Sequence, residues 1–190
     1  MKYKKFLIIG GSRGIGLEIL NHFKGDNVSR SNGYDITRAD VRQKISHISL
    51  DYDVVVNHAY TGDFSQMEML RELCFLWQEK QKEGYIIHTG SLSSCRFNDR
   101  KDRKWWYMSA NKISSDQFIE YISQASAWRE DIKFRITNIR PGMLDTEKDR
   151  RKPHFKSGIK GQAYCQLIEY LLNTPENLIV SEVTMEARCL

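Results

Sequence analysis

The chain has 190 residues, 41% of them apolar and 28% charged, with a net charge of +5 and only 3 prolines. That length suits one domain with a sizeable core and is short for two, and the composition excludes disordered and fibrous classes. No stretch approaches the roughly 20 apolar residues that a membrane span requires, and the basic residues are interleaved with acids in "NDRKDRK" and "DTEKDRRK", a pattern of solvated loops rather than of a nucleic-acid-binding face.

In chain order, "FLIIG" (Phe6 to Gly10) is an apolar run closed by glycine, which reads as a buried strand rather than a signal peptide. "GLEILNHFKG" spaces Leu17, Leu20 and Phe23 at helical intervals. "DNVSRS" gives a short second strand and "GYDIT" a third, after which Thr37 is placed to cap a helix carrying Val41, Ile45 and Ile48. "DYDVVVNHA" is a β-branched strand. "SQMEMLRELCFLWQEKQKEG" is a periodic helix with Met67, Leu70, Leu73, Cys74 and Trp77 inward. "YIIHTG" (strand), "MSANKISSDQFIEYISQASA" (helix), "IKFRITNIRPG" (strand), "GQAYCQLIEYLLN" (helix) and "NLIVSEVTM" (strand) complete the chain. The alternation predicts an α/β fold over residues 1–190: a single Rossmann-type domain, a doubly wound parallel sheet with helices on both faces. Ligands of such sheets bind at the carboxyl ends of the strands, where strand order reverses.

Four cysteines, Cys74, Cys95, Cys165 and Cys189, are far apart and form no CxxC pair or metal-ligand spacing, which predicts reduced thiols, a cytoplasmic protein and no metal.

"GGSRGIG" follows the first strand and opens the first helix. Gly10, Gly14 and Gly16 form G-x-x-x-G-x-G, wider than the usual dinucleotide fingerprint but resting on the same physics. Missing Cβ atoms let the turn close, and amides at the helix N-terminus can meet a pyrophosphate. Arg13 in the turn and Arg30 after the second strand stand where an adenosine ribose would lie. A guanidinium can grip a 2′-phosphate bidentately, so NADP(H) is expected over NAD(H).

Together these motifs resemble the short-chain dehydrogenase/reductase family over nearly the whole chain. "GGSRGIG" is similar to its TGxxxGIG turn, which implies cofactor contacts from Gly10, Ser12, Arg13, Gly14, Ile15 and Gly16, with Arg30 beside them. "YDIT" resembles the acidic turn in which Asp35 accepts from the adenine amino group and Ile36 covers the ring. "VVVNHAY" resembles the NNAG strand end and implies Asn57 and Ala59. "IIHTGS" places Ser91 as the catalytic serine, and "SANKISSDQF" places Lys112 as the catalytic lysine. "RPGMLDT" implies Pro141 and Gly142 along the nicotinamide, with Thr146 on its carboxamide. The family's pairing of two helices across a two-fold axis implies a homodimer or homotetramer, and Phe75, Leu76, Phe118 and Tyr121 are apolar residues beyond one face of those helices.

The resemblance breaks at two points. The segment from His58 to Gly84 contains no asparagine, so the family's catalytic asparagine has no counterpart. And "WWYMSANK" puts Met108 four residues before Lys112, where the catalytic tyrosine belongs; a thioether has no proton to give. Tyr107 lies five residues before the lysine, about 140° away around a regular helix. Three readings stay open: Tyr107 serves as the acid if the helix start absorbs the extra residue; Tyr60, His58, His88 or water replaces it; or the site binds nucleotide without reducing carbonyls. The expected function is an NADPH-dependent oxidoreductase of a small carbonyl or hydroxyl substrate, with Ser91, Tyr107 and Lys112 catalytic. Cations at Lys148, Arg150, Arg151, Lys152, His154 and Lys156 are placed to favour an anionic substrate. The alternative is a nucleotide-binding sensor or partner subunit.

Overall fold

The computed structural model describes residues 3–95, 103–151 and 157–188. Strand β1 (Phe6–Ile9) leads into helix α1 (Gly14–Phe23), then β2 (Asp26–Val28), α2 (Ala39–Ile48), β3 (Val54–Asn57), α3 (Ser65–Glu79) and β4 (Gly84–Thr89). Helix α4 (Arg103–Ser126), β5 (Phe134–Pro141), the short α5 (Glu147–Arg150), α6 (Gly161–Leu172) and β6 (Glu182–Met185) follow. The six strands make one sheet in the order β2-β1-β3-β4-β5-β6, with every pairing parallel. The central β1 and β3 are buried along their whole length, as their unbroken Ile/Val runs require of strands covered on both faces. Strand order reverses between β1 and β3, which opens the crevice at the ends of these two strands.

Each face of the sheet has its own core. Tyr164, Cys165 and Ile168 of α6, with Ile15 and Ile19 of α1, pack on Phe6, Ile8, Val54 and Val56. On the other face Val41 and Ile45 of α2, Leu70, Leu73 and Trp77 of α3 and Ile119 of α4 pack on Leu7, Ile9 and Val55. Trp77 is fully buried and satisfies its indole N–H by donating to Ser49 Oγ at 2.8 Å, which removes the cost of hiding a donor.

Several predicted elements are corrected. "GYDIT" is not a strand: Gly33 turns the chain at φ +91°, and the Asp35 carboxylate accepts from Thr37 N–H (3.1 Å) and Thr37 Oγ1 (2.9 Å), closing an Asx turn. Thr37 therefore does not cap α2, whose N-cap position is Arg38. In α1 Ile15 and Ile19 are fully buried, Leu20 and Phe23 pack partly buried against the same core and Leu17 faces out at 38% exposure; in α3 Met67 packs partly buried against the core and Met69 is fully buried. Helix α3 ends at Glu79, with Gln81 in the left-handed region, instead of continuing to Gly84. The closing strand is confined to Glu182–Met185. Helix α4 begins at Arg103, five residues before its expected start at Met108.

Among the described residues no helix is long and apolar enough to cross a membrane. Cys74, Cys95 and Cys165 are free thiols, while Cys189, Lys152, His154 and Lys156 lie outside the described residues, as does most of "NDRKDRK".

Candidate active site

The glycine turn is shaped by close approach. Gly10 has φ +94°, and a Cβ there would stand 2.8 Å from the backbone of Ala59 across the crevice. A Cβ on Gly16 would collide with the Gly10 carbonyl oxygen. Gly14, at φ +55°, faces open space except for Thr146, whose Cγ2 would be 3.5 Å from an added Cβ. Thr146, from the loop after β5, thus stands over the first turn of α1. Arg13 occupies the N-cap of that helix in extended conformation and its side chain does not cap it, so the N-terminal amides are left for a ligand. The uncapped amides at the start of α1, beside the open face of Gly14, suit a pyrophosphate.

At the end of β2 a hydroxyl cluster adjoins the turn. Ser12 Oγ hydrogen-bonds Ser29 Oγ and, at 2.6 Å, Ser31 Oγ, while Asn27 receives the Gly11 N–H at 2.8 Å. Arg13 and Arg30 flank the cluster, both exposed. Ser29 and Ser31 were not among the expected site residues; their signal was the serine spacing in "VSRS". Asp35 is held below the ordinary carboxylate range by its bonds to Thr37, and Ile36 is turned into the core at 3% exposure, which leaves little of it to cover an adenine.

The other end of the crevice is buried. Lys112, 5% exposed, reaches from α4 to the carboxyl end of β4, where its Nζ donates to the Thr89 carbonyl at 2.9 Å and to Gln66 Oε1 at 2.5 Å. The ring of Tyr60 lies over that ammonium, 4.9 Å from Nζ to centroid. Burial pushes the Lys112 ammonium down from 10.5 to about 7, against an opposing pull from Asp116 one turn along the helix. Gln66 was missed in the sequence. It lies in the segment without asparagine, and the signal was a glutamine in the first turn of a helix otherwise apolar on its inner face.

Behind Lys112 a polar row crosses the sheet. Asn57, His88 and Asn138 are in register on β3, β4 and β5 and all are buried. Asn57 Nδ2 donates to the Gln66 carbonyl (3.1 Å) and lies 3.3 Å from His88 Nδ1, so Asn57 is a buried strut. His88 is held neutral, its pKa well below 6.5 through burial and the nearby Lys112. His58 is pushed down to about 4 for the same reasons, and its Nδ1 bonds Thr89 Oγ1 at 3.0 Å. Neither imidazole is in its cationic, acidic form at neutral pH.

Ser91 caps a short turn over residues 92–94, accepting from Ser93 N–H (3.1 Å) and Ser93 Oγ (2.9 Å); both bonds use it as acceptor and leave its own proton uncommitted. Strand β5 ends at Pro141, and Gly142 N–H donates to the Met185 carbonyl at 2.8 Å, which fixes the start of the loop that brings Thr146 over α1. Tyr107 stands in the second turn of α4, 49% exposed, edge-on to Phe64 with ring centroids 5.1 Å apart. Because α4 is regular from Arg103, the slack that the first of the three readings requires is not there, and Tyr107 projects about 140° from Lys112. Tyr60 is near enough to the crevice to matter, but burial, Asp63 and Tyr107 all push its phenol up, the wrong direction for an acid matched to neutral pH.

Of the loop cations, Arg150 Nε pairs with Asp145 at 2.5 Å and Arg151 pairs with Glu147, so these two are already engaged by acids of their own loop. A cavity of about 410 Å³ between α4 and the β5–β6 edge lies off the crevice, and its Arg140 already bonds Glu182 and sits 3.5 Å from Asp116.

No protein-family model matches the sequence, and no curated protein does. Solved structures match it along nearly its full length. A short-chain dehydrogenase from Burkholderia cenocepacia in complex with NADP aligns over 97% of this chain and 89% of its own, with a TM-score of 0.75 at 16% identity. A 3-alpha-hydroxysteroid dehydrogenase from Pseudomonas, complexed with NADH, aligns over 96% and 95% with a TM-score of 0.77 at 12% identity. The protein has the short-chain dehydrogenase/reductase fold. A betaketoacyl-[ACP] reductase from Bacteroides thetaiotaomicron shares this fold over 96% of both chains, with a TM-score of 0.71 at 19% identity. In this chain the glycine turn opens α1, and Lys112 in α4 has Met108 four residues before it.

Proposed function

We propose that the protein is an NADPH-dependent oxidoreductase acting on a carbonyl or hydroxyl group of a small molecule. The observation that carries this reading is Lys112: a buried ammonium held at the carboxyl end of β4, beside the turn that presents Ser91, on a fold whose solved relatives include NADP and NADH complexes. An unpaired surface role would not need a lysine hidden at this cost.

The chain's own groups divide the work as follows. Gly10, Gly14, Ile15 and Gly16 and the amides at the start of α1 receive the pyrophosphate. Ser12, Arg13 and Arg30, joined by Ser29 and Ser31, receive the 2′-phosphate, which underlies the preference for NADP(H) over NAD(H). Asp35, Ile36, Asn57 and Ala59 border the adenosine side, with Ile36 and Asn57 acting mainly from within the core. Lys112 holds the nicotinamide ribose, and Pro141, Gly142 and Thr146 border the nicotinamide. When bound, the nicotinamide supplies or takes the hydride. Ser91 directs its free proton toward the substrate oxygen, and Tyr107 is the proposed donor of the proton that oxygen takes up. The exposed aromatic residues Phe75, Tyr121 and Trp128, at 52%, 71% and 89%, support a homodimer or homotetramer, and the free thiols among the described residues support a cytoplasmic setting.

The regular helix through Tyr107 and Met108 favours a second reading, in which the protein binds the nucleotide as a sensor or partner subunit without turning it over. Titration with NADPH and NADH, followed by NADPH consumption with a panel of ketones and aldehydes, separates the two. Turnover that is lost in Tyr107→Phe and Ser91→Ala supports the first reading. Tight NADPH binding with no turnover on any carbonyl supports the second, and no binding of either dinucleotide defeats both.

A further inference from the structure

Gln66 is wholly buried in the first turn of α3, a place where an uncharged polar side chain is retained only if its hydrogen bonds are met. All of them are. Its Nε2 donates to the Asn57 carbonyl and to the Thr89 carbonyl, each at 3.2 Å, and its Oε1 accepts from Lys112 Nζ. Both strand-end carbonyls are acceptors only, so the amide nitrogen must face them and the oxygen must face α4; the orientation is fixed by chemistry and not by choice of assignment. Lys112 meets Thr89 O with a second bond, so Gln66, Thr89 and Lys112 close a ring joining α3, β4 and α4, and the bond from Gln66 to the Asn57 carbonyl ties it to β3.

We infer that Gln66 is the positioning residue of Lys112, fixing its ammonium at the end of β4 where the nicotinamide ribose is to be met. The inference rests on the nucleotide-binding reading for its purpose but not for its test. Without Gln66 the ammonium would keep, among the described residues, one protein acceptor, Thr89 O, and the ring of Tyr60, and a four-carbon stem would leave it free to swing. The charged and titratable groups around Nζ are Asp116 on α4, His88 on β4, and His58 and Tyr60 on the loop after β3. None of them replaces the neutral acceptor that Gln66 provides.

The test is NMR on the full chain labelled at lysine and glutamine side chains. In the unaltered protein the Gln66 side-chain amide signals should titrate with the same midpoint as Lys112 Nζ. In Gln66→Met that midpoint should fall, and NADPH should bind about tenfold more weakly, as loss of one hydrogen bond to a charged group predicts. In Gln66→Glu the midpoint should rise by about one unit or more. A Gln66 amide signal insensitive to the Lys112 titration, or a midpoint unmoved in either folded variant, would overturn the inference; the first readout needs no variant to fold. If the wild-type protein binds no dinucleotide while the two signals titrate together, the functional reading falls and the positioning role stands.

Discussion

The two ends of the crevice solve opposite problems. At the β1–β2 end most of the polar groups are exposed or half-exposed, with Ser29 buried beneath them, and they pair among themselves: Ser12 with Ser29 and Ser31, Asn27 with the Gly11 amide. At the β4 end Gln66, His88, Asn57 and Lys112 are buried at 5% exposure or less, and each depends on a particular partner. A hydrated cluster can bind a charged group and release it at little cost, because water stands in for the ligand. A buried ammonium costs stability unless its partners are built in. The first end is therefore organised for binding, and the second for holding one group in one place.

The comparison breaks most readily at the glycines. Gly16→Val would drive side-chain carbons into the Gly10 carbonyl, and because that contact is backbone, not a yielding side-chain tip, the turn must move. A destabilisation of about 3 kcal/mol in urea unfolding is expected, with loss of dinucleotide binding. A variant that unfolds and binds like wild type would show that the crevice is not held by this approach.

Lys112→Met is expected to stabilise the protein, and the pH dependence gives the reason. The folded-state value is about 7 and the ordinary one 10.5, so between these the unfolded chain binds more protons and wild-type stability climbs as pH rises. Above 10.5 the burial penalty is gone; below 7 it is fully present. Lys112→Met lacks the titrating group, so its advantage, roughly 2 kcal/mol at pH 6 after the lost bond to Gln66 is counted, should shrink as pH rises, vanish within that window and reverse at its alkaline end, where only the lost bond remains. A constant difference across pH would mean that the lysine is solvated in the folded state.

How far these two ends could be read from the sequence differs for the same physical reason. The glycine turn was legible because backbone closure is a property of residues close together in the chain. The alternation of strands and helices and the parallel sheet covered on both faces followed from periodicity. Gln66 was not legible, because its meaning comes from Lys112, 46 residues away, and neither residue alone announces the other. The third strand failed because "YDIT" is β-prone in composition while one local Asx turn, made by Asp35 and Thr37, decides the chain path. The slack expected before Tyr107 failed because the helix continues upstream through Trp105 and Trp106, residues whose helix propensity is unremarkable and gave no start signal.

The exposed end offers a gentler perturbation. Arg13→Ala and Arg30→Ala should each weaken NADPH binding about tenfold and leave NADH binding unchanged, since only the former carries the 2′-phosphate that a guanidinium grips. Equal losses for both dinucleotides would move these arginines to the pyrophosphate. No loss for either would leave the serine cluster as the whole of the site, and the effect of salt on the NADPH affinity should fall in each variant if the arginines act as charges.

The smallest expected effect falls on Thr89, which belongs to both sides of the sheet at once. Its carbonyl serves Lys112 and Gln66, while its hydroxyl lies 3.0 Å from His58 Nδ1 and 2.9 Å from the Tyr164 hydroxyl on the opposite face. Thr89→Val keeps the shape and the carbonyl and removes only the hydroxyl. Tyr164 is fully buried, so its O–H would be left without that partner, and a loss of about 1 kcal/mol is expected from thermal or urea unfolding. NADPH affinity should not change, because the carbonyl that holds the ammonium is untouched. If affinity falls along with stability, the hydroxyl chain through His58 and Tyr164 is mechanically part of the lysine's setting, and the division between a binding end and a holding end must be extended through the sheet to α6.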